Sequence, residues 1–259
     1  MTNILEKFKL DGRCAIVTGG YRGIGKGIAI ALAQAGADIV IAARDKERGG
    51  AAAEELAGLG VKSIFIECDI SKPEDCKRLT EETIKTFGKI DILVNNAATT
   101  LMKKCEDIDY ETEWKELMNV NLDGTFLMMQ EVGKTMIKQG SGSIINISSI
   151  SANMVNQPQP QSAYNSSKSA VSMLTKCFAY EWAKYGVRVN AIAPGYVLTE
   201  LLPDEVVNSE TGQAWRKHTP MDRFGTPEEM GGITVFLASD ASSYATGGIF
   251  TIDGGYSLI

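Results

Sequence analysis

The sequence predicts a single α/β domain built on a doubly wound parallel sheet of about seven strands, with helices on both faces. Short β-branched runs alternate with longer helical segments along all 259 residues. Most of these runs are almost continuously apolar, which is usual for strands that are buried on both faces of a sheet. No linker, repeat or low-complexity tract divides the chain, and α/β domains of about 250 residues are common. We therefore expect one domain, residues 1–259.

The alternation of apolar runs and helical segments predicts the position of each strand and helix. The predicted strands span residues 14–18, 38–42, 63–67, 91–94, 143–147, 187–192 and 248–252. The predicted helices span residues 23–35, 46–56, 73–87, 112–138, 163–184 and 227–237. Ligands of such sheets bind beyond the carboxyl ends of the strands, where the strand order reverses. Residues 195–220 form the longest stretch between strong signals, and because long loops in compact domains are usually functional, we expect a substrate lid there.

The composition excludes several classes of function. The chain has 26 Lys and Arg against 32 Asp and Glu, a formal charge of −6, which argues against nucleic acid or an anionic membrane surface as a partner. No apolar run approaches the roughly 20 residues of a membrane span, and the charged N-terminus lacks the apolar core of a signal peptide, so a cytoplasmic location is expected. The five cysteines are scattered and His218 is the single histidine, so neither a disulfide framework nor a metal site is predicted.

A glycine-rich loop follows the first predicted strand. It reads Thr18-Gly19-Gly20-Tyr21-Arg22-Gly23-Ile24-Gly25 and opens into an alanine-rich helix. Glycine permits a sharp turn and a close approach of the backbone to a pyrophosphate, while the N–H groups and the dipole at a helix start attract phosphates. Between the first strand and the first helix of a βαβ unit, this cluster predicts dinucleotide binding.

The GxxxGxG spacing of Gly19, Gly23 and Gly25 resembles that of the short-chain dehydrogenase/reductase family, and further motifs extend the resemblance over essentially the whole chain. These are Asn95-Asn96-Ala97-Ala98, Asn121, Ser149, Tyr164-Asn165-Ser166-Ser167-Lys168, Pro194-Gly195 to Thr199, and Asp253-Gly254-Gly255. Ala98 departs from the family, which usually has glycine there. The resemblance implies a Rossmann-type oxidoreductase that uses NAD or NADP, acts on CH–OH and C=O groups, and assembles as a homotetramer.

The end of the second strand distinguishes the two cofactors. An acidic side chain at this point binds the ribose hydroxyls of NAD, whereas a cation suits the 2′-phosphate of NADP. By resemblance the acidic position falls on Ala43, with Arg44 next and Arg22 in the glycine loop, and arginine suits phosphate recognition. NADP is therefore the predicted cofactor. In the alternative, NAD binds, Arg44 is a solvated loop residue, and Asp45 serves the ribose.

The resemblance also implies the remaining cofactor contacts. Asp69 matches the adenine contact of the family, although it could simply be a loop acid that caps the next helix. The backbone of Val197 and the side chain of Thr199 would meet the nicotinamide carboxamide. The other implied residues are Gly19, Tyr21, Arg22, Gly23, Ile24, Gly25, Ile70, Asn96, Ala97, Tyr164, Lys168, Pro194 and Gly195.

Hydride transfer to a carbonyl carbon needs a proton partner for the oxygen, and a chain with one histidine needs another group for this role. Tyrosine can serve if a nearby cation stabilises its phenolate, and a lysine four residues later on a helix lies on the same face. Two pairs have this spacing, Tyr164 with Lys168 and Tyr180 with Lys184. At about 100° per residue the two tyrosines point roughly 160° apart, so they cannot share a cleft. Tyr164 is our candidate because it lies near a helix start, after a serine-bearing loop.

By resemblance, Tyr164 is the general acid in reduction and the base in oxidation, while Lys168 lowers its pKa and binds the nicotinamide ribose. Ser149 would hydrogen-bond the substrate oxygen, and Asn121, which interrupts the long helix, would hold a water linked to Lys168. The spacing most common in the family selects Ser151 as the serine instead. The position at the end of the strand favours Ser149, which we prefer.

The loop before Tyr164 gives the only hint about the substrate. It reads Asn156-Gln157-Pro158-Gln159-Pro160-Gln161-Ser162. Amides pair well with hydroxyls, and the segment resembles that of sugar-alcohol dehydrogenases and ketose reductases in the family. We therefore predict NADPH-dependent reduction of a ketose or sugar-acid ketone to the alcohol, reversible at higher pH. A rigid polar loop without a substrate role is the alternative.

Two rival functions remain open. The first is reduction of a 3-oxoacyl thioester, whose acidic carrier protein the charge of −6 would slightly repel. Enoyl reduction fits less well, because the resemblance implies a longer tyrosine–lysine spacing for it. The second rival, from another class, is an inactive nucleotide-binding scaffold.

Overall fold

The sheet has seven parallel strands in the order β3-β2-β1-β4-β5-β6-β7 in the computed structural model, which describes residues 3–200, 202 and 204–258. The strands are β1 (Cys14–Thr18), β2 (Asp38–Ala43), β3 (Ser63–Glu67), β4 (Ile92–Asn95), β5 (Gly142–Ile147), β6 (Val187–Pro194) and β7 (Ile249–Ile252). Since β1 pairs with both β2 and β4, the strand order reverses there. The predicted doubly wound α/β class is confirmed.

Helices connect the strands and cover both faces of the sheet. They are α1 (Gly23–Gln34), α2 (Lys46–Ala57), α3 (Pro73–Phe87), α4 (Lys115–Met118), α5 (Gly124–Gln139), α6 (Ser162–Trp182), α7 (Asp204–Val207), α8 (Glu210–His218) and α9 (Gly231–Ala238). No helix in the described part of the chain is long and apolar enough to cross a membrane.

Alternating side chains of the buried strands supply two hydrophobic cores. Ala15 and Val17 pack with α1, α2 and α9 on one face. Ile16 points to the other face and packs with α3, α5 and α6. All five residues of β1 are buried, so the strand that carries the glycine loop is held from both sides.

Most element boundaries lie within two residues of those predicted, and the larger differences are in helices. The predicted helix 227–237 begins as a 3₁₀ turn, Pro227–Met230, before α9. β6 continues to Pro194 because Ala193 and Pro194 pair with β7. The predicted long helix has π-helical turns at Tyr110–Trp114 and Asn119–Asp123. The 195–220 segment is partly helical, since it contains α7 and α8.

Candidate active site

A cavity of about 730 Å³ lies beyond the carboxyl ends of β1 to β6. Parallel α/β sheets bind their ligands at this edge. Seventeen residues singled out from the sequence line it: Gly19, Tyr21, Arg22, Gly23, Ile24, Gly25, Arg44, Asp69, Ile70, Asn96, Ala97, Ser149, Tyr164, Lys168, Pro194, Gly195 and Thr199. The fold therefore brings the glycine loop and the Tyr164 pair, far apart in sequence, into one cavity.

The glycine loop has the backbone that its composition predicts. Gly19 and Gly23 adopt left-handed conformations, with φ of 63° and 50°, which residues with a Cβ rarely adopt. A Cβ at Gly23 would lie 3.2 Å from the Thr199 side chain. The start of α1 carries no side-chain cap, so its N–H groups remain available to a phosphate. These features fit a dinucleotide pyrophosphate.

The loop is fixed to the end of β4 by Asn96. Its side-chain amide donates to the carbonyl oxygens of Thr18 and Gly19, at 3.0 and 3.2 Å. The Thr18 hydroxyl oxygen in turn accepts from the backbone N–H groups of Asn96 and Ala97, both at 3.0 Å. A Cβ at Gly25 would collide with the Asn96 amide, which explains why this position holds glycine.

The cavity beyond the end of β2 is lined by two arginines and one acid. Arg44 and Asp45 follow β2, and Arg22 comes from the glycine loop. A carboxylate oxygen of Asp45 accepts from the backbone N–H of Arg48 at 3.0 Å, so Asp45 caps α2. A carboxylate engaged in this way is less available to a ribose, although it still faces the cavity.

The sequence reasoning missed Arg48. Its guanidinium pairs with Glu200 of the 195–220 segment at 2.6 Å and lies 5.1 Å from the centre of the Tyr21 ring. Arg22 stacks on the same ring at 5.4 Å and lies 4.0 Å from Glu200. No spacing rule connects these residues, because α2, the glycine loop and the 195–220 segment meet only in the folded chain.

Asp69, just after the end of β3, lines the cavity and holds a turn, and it does not cap α3, whose N-cap residue is Lys72. Its side chain lines the cavity and also accepts from the backbone N–H and the hydroxyl of Ser71, at 3.1 and 2.7 Å. Its backbone N–H donates to Asp75 at 2.9 Å. These bonds hold the residue and its neighbour Ile70 as one wall of the cavity.

Tyr164 and Lys168 lie at the start of α6, against the end of β5. The Lys168 ammonium donates to the Ile147 carbonyl at 2.8 Å and lies 5.7 Å from the centre of the Tyr164 ring. The Ser149 hydroxyl lies close enough to the Tyr164 phenol to lower the pKa of that phenol. Serine, phenol and ammonium thus face the same end of the cavity.

Burial is the main cause of the pKa shifts of Tyr164 and Lys168. It raises the pKa of Tyr164, and the hydrogen bond from Ser149 lowers that pKa by less. Burial also lowers the pKa of Lys168 to about 8, because a charged ammonium is costly to desolvate. The family resemblance predicts that Lys168 lowers the pKa of Tyr164. In the structure the pKa lies above its ordinary value, so the phenol is a neutral acid at pH 7.

The two candidate serines differ in what they face. Ser149 lines the cavity. Ser151 is 4% exposed and does not line it, and its hydroxyl lies 3.0 Å from that of Ser149. The geometry therefore favours Ser149 as the serine that can reach a substrate.

Two residues from the sequence-based set do not line the cavity. Asn121 is buried in the π-helical turn, where its side chain pairs with both backbone groups of Thr99 and donates to the Ser167 hydroxyl at 3.1 Å. The side chain is fully engaged in joining the segment after β4 to α6. Val197 is packed in the core, although its neighbour Thr199 lies in the cavity wall.

The amides of the loop before α6 are largely engaged inside the protein. Asn156 and Gln159 donate to the Tyr196 hydroxyl, at 3.0 and 2.8 Å. Gln161 donates to the Ser151 hydroxyl at 3.2 Å. These three side chains are buried, whereas Gln157 is exposed. The expected direct pairing of the amides with a substrate is therefore not seen for the three buried ones, since each already has a protein partner.

Comparison with known proteins gives a consistent class of relatives. A family model described as enoyl-(acyl carrier protein) reductase matches residues 19–257. A sorbose reductase from Candida albicans is 39% identical over 257 residues, 99% of this chain and 91% of the relative. A 3-oxoacyl-[acyl-carrier-protein] reductase from Aquifex aeolicus is 39% identical over 250 residues, 96% and 99% of the two chains. A gluconate 5-dehydrogenase from Burkholderia cenocepacia, solved with NADP and tartrate, is 37% identical, with a TM-score of 0.93 over 99% of this chain and 100% of the other.

Proposed function

Because the chain belongs to the short-chain dehydrogenase/reductase family and is an NAD(P)-dependent oxidoreductase acting on CH–OH and C=O groups, we propose that it reduces the ketone of a sugar or sugar acid with NADPH. One observation carries the proposal. Ser149, Tyr164 and Lys168 line the same cavity as the glycine loop, so a proton donor and a cofactor site share one space.

The nicotinamide of the bound cofactor would supply the hydride in reduction and accept it in oxidation. Tyr164 gives its phenolic proton to the substrate oxygen. Because burial raises the pKa of the phenol, the proton stays on Tyr164 at pH 7 until the substrate oxygen gains negative charge. Ser149 donates a hydrogen bond to the same oxygen as negative charge develops on it. Lys168, anchored on the Ile147 carbonyl, places its positive charge beside the phenol and would bind the nicotinamide ribose of the cofactor.

In this mechanism Asn121 has an indirect role. Its side chain is engaged with Thr99 and Ser167, so any water linked to Lys168 would be held by its backbone. The side chain itself positions α6, on which both Tyr164 and Lys168 lie.

NADP is the cofactor that the cavity favours. Ala43 stands where an NAD enzyme of this family has its acid, and Arg22 and Arg44 line the same end of the cavity. Asp45 is engaged as a helix cap. The sites proposed for the remaining cofactor contacts are those of the glycine loop, Asp69, Ile70, Asn96, Ala97, Pro194, Gly195, Thr199 and the backbone of Val197.

A sugar-derived substrate is supported by the relatives that act on sorbose and gluconate. The equally similar 3-oxoacyl reductase keeps thioester reduction as the second candidate. The spacing of four between Tyr164 and Lys168 favours a carbonyl reaction over enoyl reduction. We place the 195–220 segment over the substrate, since Thr199 and Glu200 line the cavity.

The test is a screen of purified enzyme with NADPH and, separately, NADH against fructose, sorbose, 5-ketogluconate and acetoacetyl-thioesters. Ketoses or keto-acids should be turned over, and NADPH should be preferred. Turnover of the thioesters alone would overturn the sugar assignment. An absence of turnover with every carbonyl, together with tight NADPH binding, would favour a scaffold.

A homotetramer in the cytoplasm completes the proposal. Tyr180 is 89% exposed beside Trp182 in an open groove, and exposed aromatic surface of this kind is typical of association sites. Light scattering of the purified protein should give four times the mass of the 27.9 kDa chain. A monomeric mass would contradict it.

A further inference from the structure

A chain of hydrogen bonds leads from the 195–220 segment to the proposed catalytic serine. It begins at Trp215 of α8, which is fully buried and stacks on Tyr196 with ring centres 4.3 Å apart. The indole N–H of Trp215 donates to the carbonyl oxygen of the Gln159 side chain at 2.8 Å. Since an indole N–H can only donate, this contact fixes which end of the Gln159 amide faces Trp215.

The orientation of one amide fixes the next. With its oxygen on Trp215, Gln159 presents its NH₂ group to the Tyr196 hydroxyl at 2.8 Å and, in a longer contact of 3.5 Å, to the side-chain oxygen of Gln161. Gln161 must then turn its own NH₂ group to the Ser151 hydroxyl, which lies at 3.2 Å. The reverse orientation would place two NH₂ groups against each other.

The last two members are hydroxyls, which can donate or accept. The Ser149 oxygen already accepts from the backbone N–H of Ser151 at 3.1 Å. In the structure the Ser149 hydroxyl donates to that of Ser151 at 3.0 Å, so the Ser151 oxygen accepts from both Ser149 and Gln161. Because both hydroxyls can rotate, Ser151 can exchange roles and donate to Ser149, which frees the Ser149 proton to turn towards the oxygens in the cavity.

We propose that Gln161 is a positioning residue that acts through Ser151 to hold the Ser149 hydroxyl as a donor towards the reacting oxygens. This inference rests on the proposed function, in which Ser149 and Tyr164 are the catalytic pair. It assigns the polar loop a role in orienting the active site. Gln161 has no need to touch the substrate in this role.

The test removes the hydrogen-bond donor of the Gln161 side chain without adding charge. Gln161→Met keeps the length of the side chain and deletes its N–H groups, and Ser151→Ala cuts the chain at the next link. Gln157→Met is the matched control, because Gln157 lies in the same loop and is exposed. The readout is the pKa of Tyr164 in the NADP⁺-bound enzyme, measured from phenolate absorbance after subtraction of the same protein carrying Tyr164→Phe.

We expect Gln161→Met to raise the pKa of Tyr164 by about 0.5 to 1, the equivalent of one ordinary hydrogen bond. Ser151→Ala should have the same effect, Ser151→Thr should restore the wild-type value, and the double variant Gln161→Met/Ser151→Ala should show no further change. Gln157→Met should leave the pKa unaltered.

An unchanged pKa in Gln161→Met and in Ser151→Ala would overturn the positioning role. So would an additive effect in the double variant, which would mean that Gln161 acts by another route. Turnover by Tyr164→Phe at the wild-type rate would instead overturn the proposed mechanism itself. The two failures are therefore separable.

Discussion

Helix α6 and the 3₁₀ turn that follows it, Ala183–Tyr185, contain the same tyrosine–lysine spacing twice, and the two pairs lie in opposite surroundings. Lys168 is 4% exposed and bonded to the end of β5, and Tyr164 faces Ser149 across the cavity. Tyr180 is 89% exposed and shares an open groove with Lys184. Spacing alone does not distinguish the pairs. What differs is that the carboxyl edge of the sheet meets the first turns of the helix and not the last, so the first pair lies beside Ser149 and the glycine loop in one cavity.

The largest expected effect separates the two tyrosines. Tyr164→Phe should lower kcat by about 10³- to 10⁴-fold, the contribution of a proton donor in the transition state, while NADPH binding is retained. Tyr180→Phe should keep the turnover of the wild type. Steady-state kinetics and fluorescence titration with NADPH measure both. Equal loss in the two variants would remove the distinction between the pairs.

Replacing Ser149 should reduce kcat more than replacing Ser151, the other serine near Tyr164. Ser149→Ala should lower kcat by about 10²- to 10³-fold, because it removes a hydrogen bond to the developing oxyanion. Ser151→Ala should cost about tenfold or less, since it acts through Ser149. Both are measured as kcat with a saturating carbonyl substrate. If Ser151→Ala were the more damaging of the two, the catalytic serine would be Ser151.

Replacing Lys168 should reduce activity far more than replacing Lys184. Lys168→Met should lower kcat/KM by about 10²-fold through loss of the charge beside the phenol and of the ribose contact. Lys184→Met, in the exposed pair, should change it less than twofold, as is usual for a solvated surface charge. A comparable loss in Lys184→Met would indicate that the groove around Tyr180 contributes to catalysis.

The pH dependence of the reduction rate should follow the protonation of the buried Lys168. The pKa of Lys168 is lowered to about 8 and that of Tyr164 is raised, so at pH 7 both hold their protons, as reduction requires. As the pH rises through about 8, Lys168 loses its proton, and reduction should fall by roughly tenfold one pH unit higher. Lys184→Met should show the same profile. A reduction rate that stays flat from pH 7 to 10 would contradict a required ammonium.

The cofactor half of the site could be predicted from sequence because it depends on backbone. Gly19 and Gly23 occupy conformations that favour glycine, and Gly25 leaves room for Asn96. Because these backbone conformations and close contacts require glycine at particular positions, they produce a sequence motif that can be recognised. The doubly wound class follows from the alternation of strands and helices. Boundaries shift where strand pairing continues, as at Pro194, and where π-helical turns interrupt the predicted long helix.

The substrate half could not be predicted to the same depth. The sequence predicts that Gln159 and Gln161 are open to a hydroxylated substrate, yet their partners are Trp215, Tyr196 and Ser151. These contacts join segments distant in sequence, and an amide looks the same in a sequence whichever partner it has. Arg48 escaped notice for the same reason, since its contacts with Glu200 and Tyr21 exist only after folding.

A crystal structure of the enzyme with NADP⁺ and the polyol product of its best carbonyl substrate tests the central claim most directly. The account predicts that the reacting hydroxyl lies within hydrogen-bond distance of both the Tyr164 phenol and the Ser149 hydroxyl, with Lys168 on the nicotinamide ribose. A polyol whose reacting carbon faces the nicotinamide while its oxygen contacts neither Tyr164 nor Ser149 would contradict it.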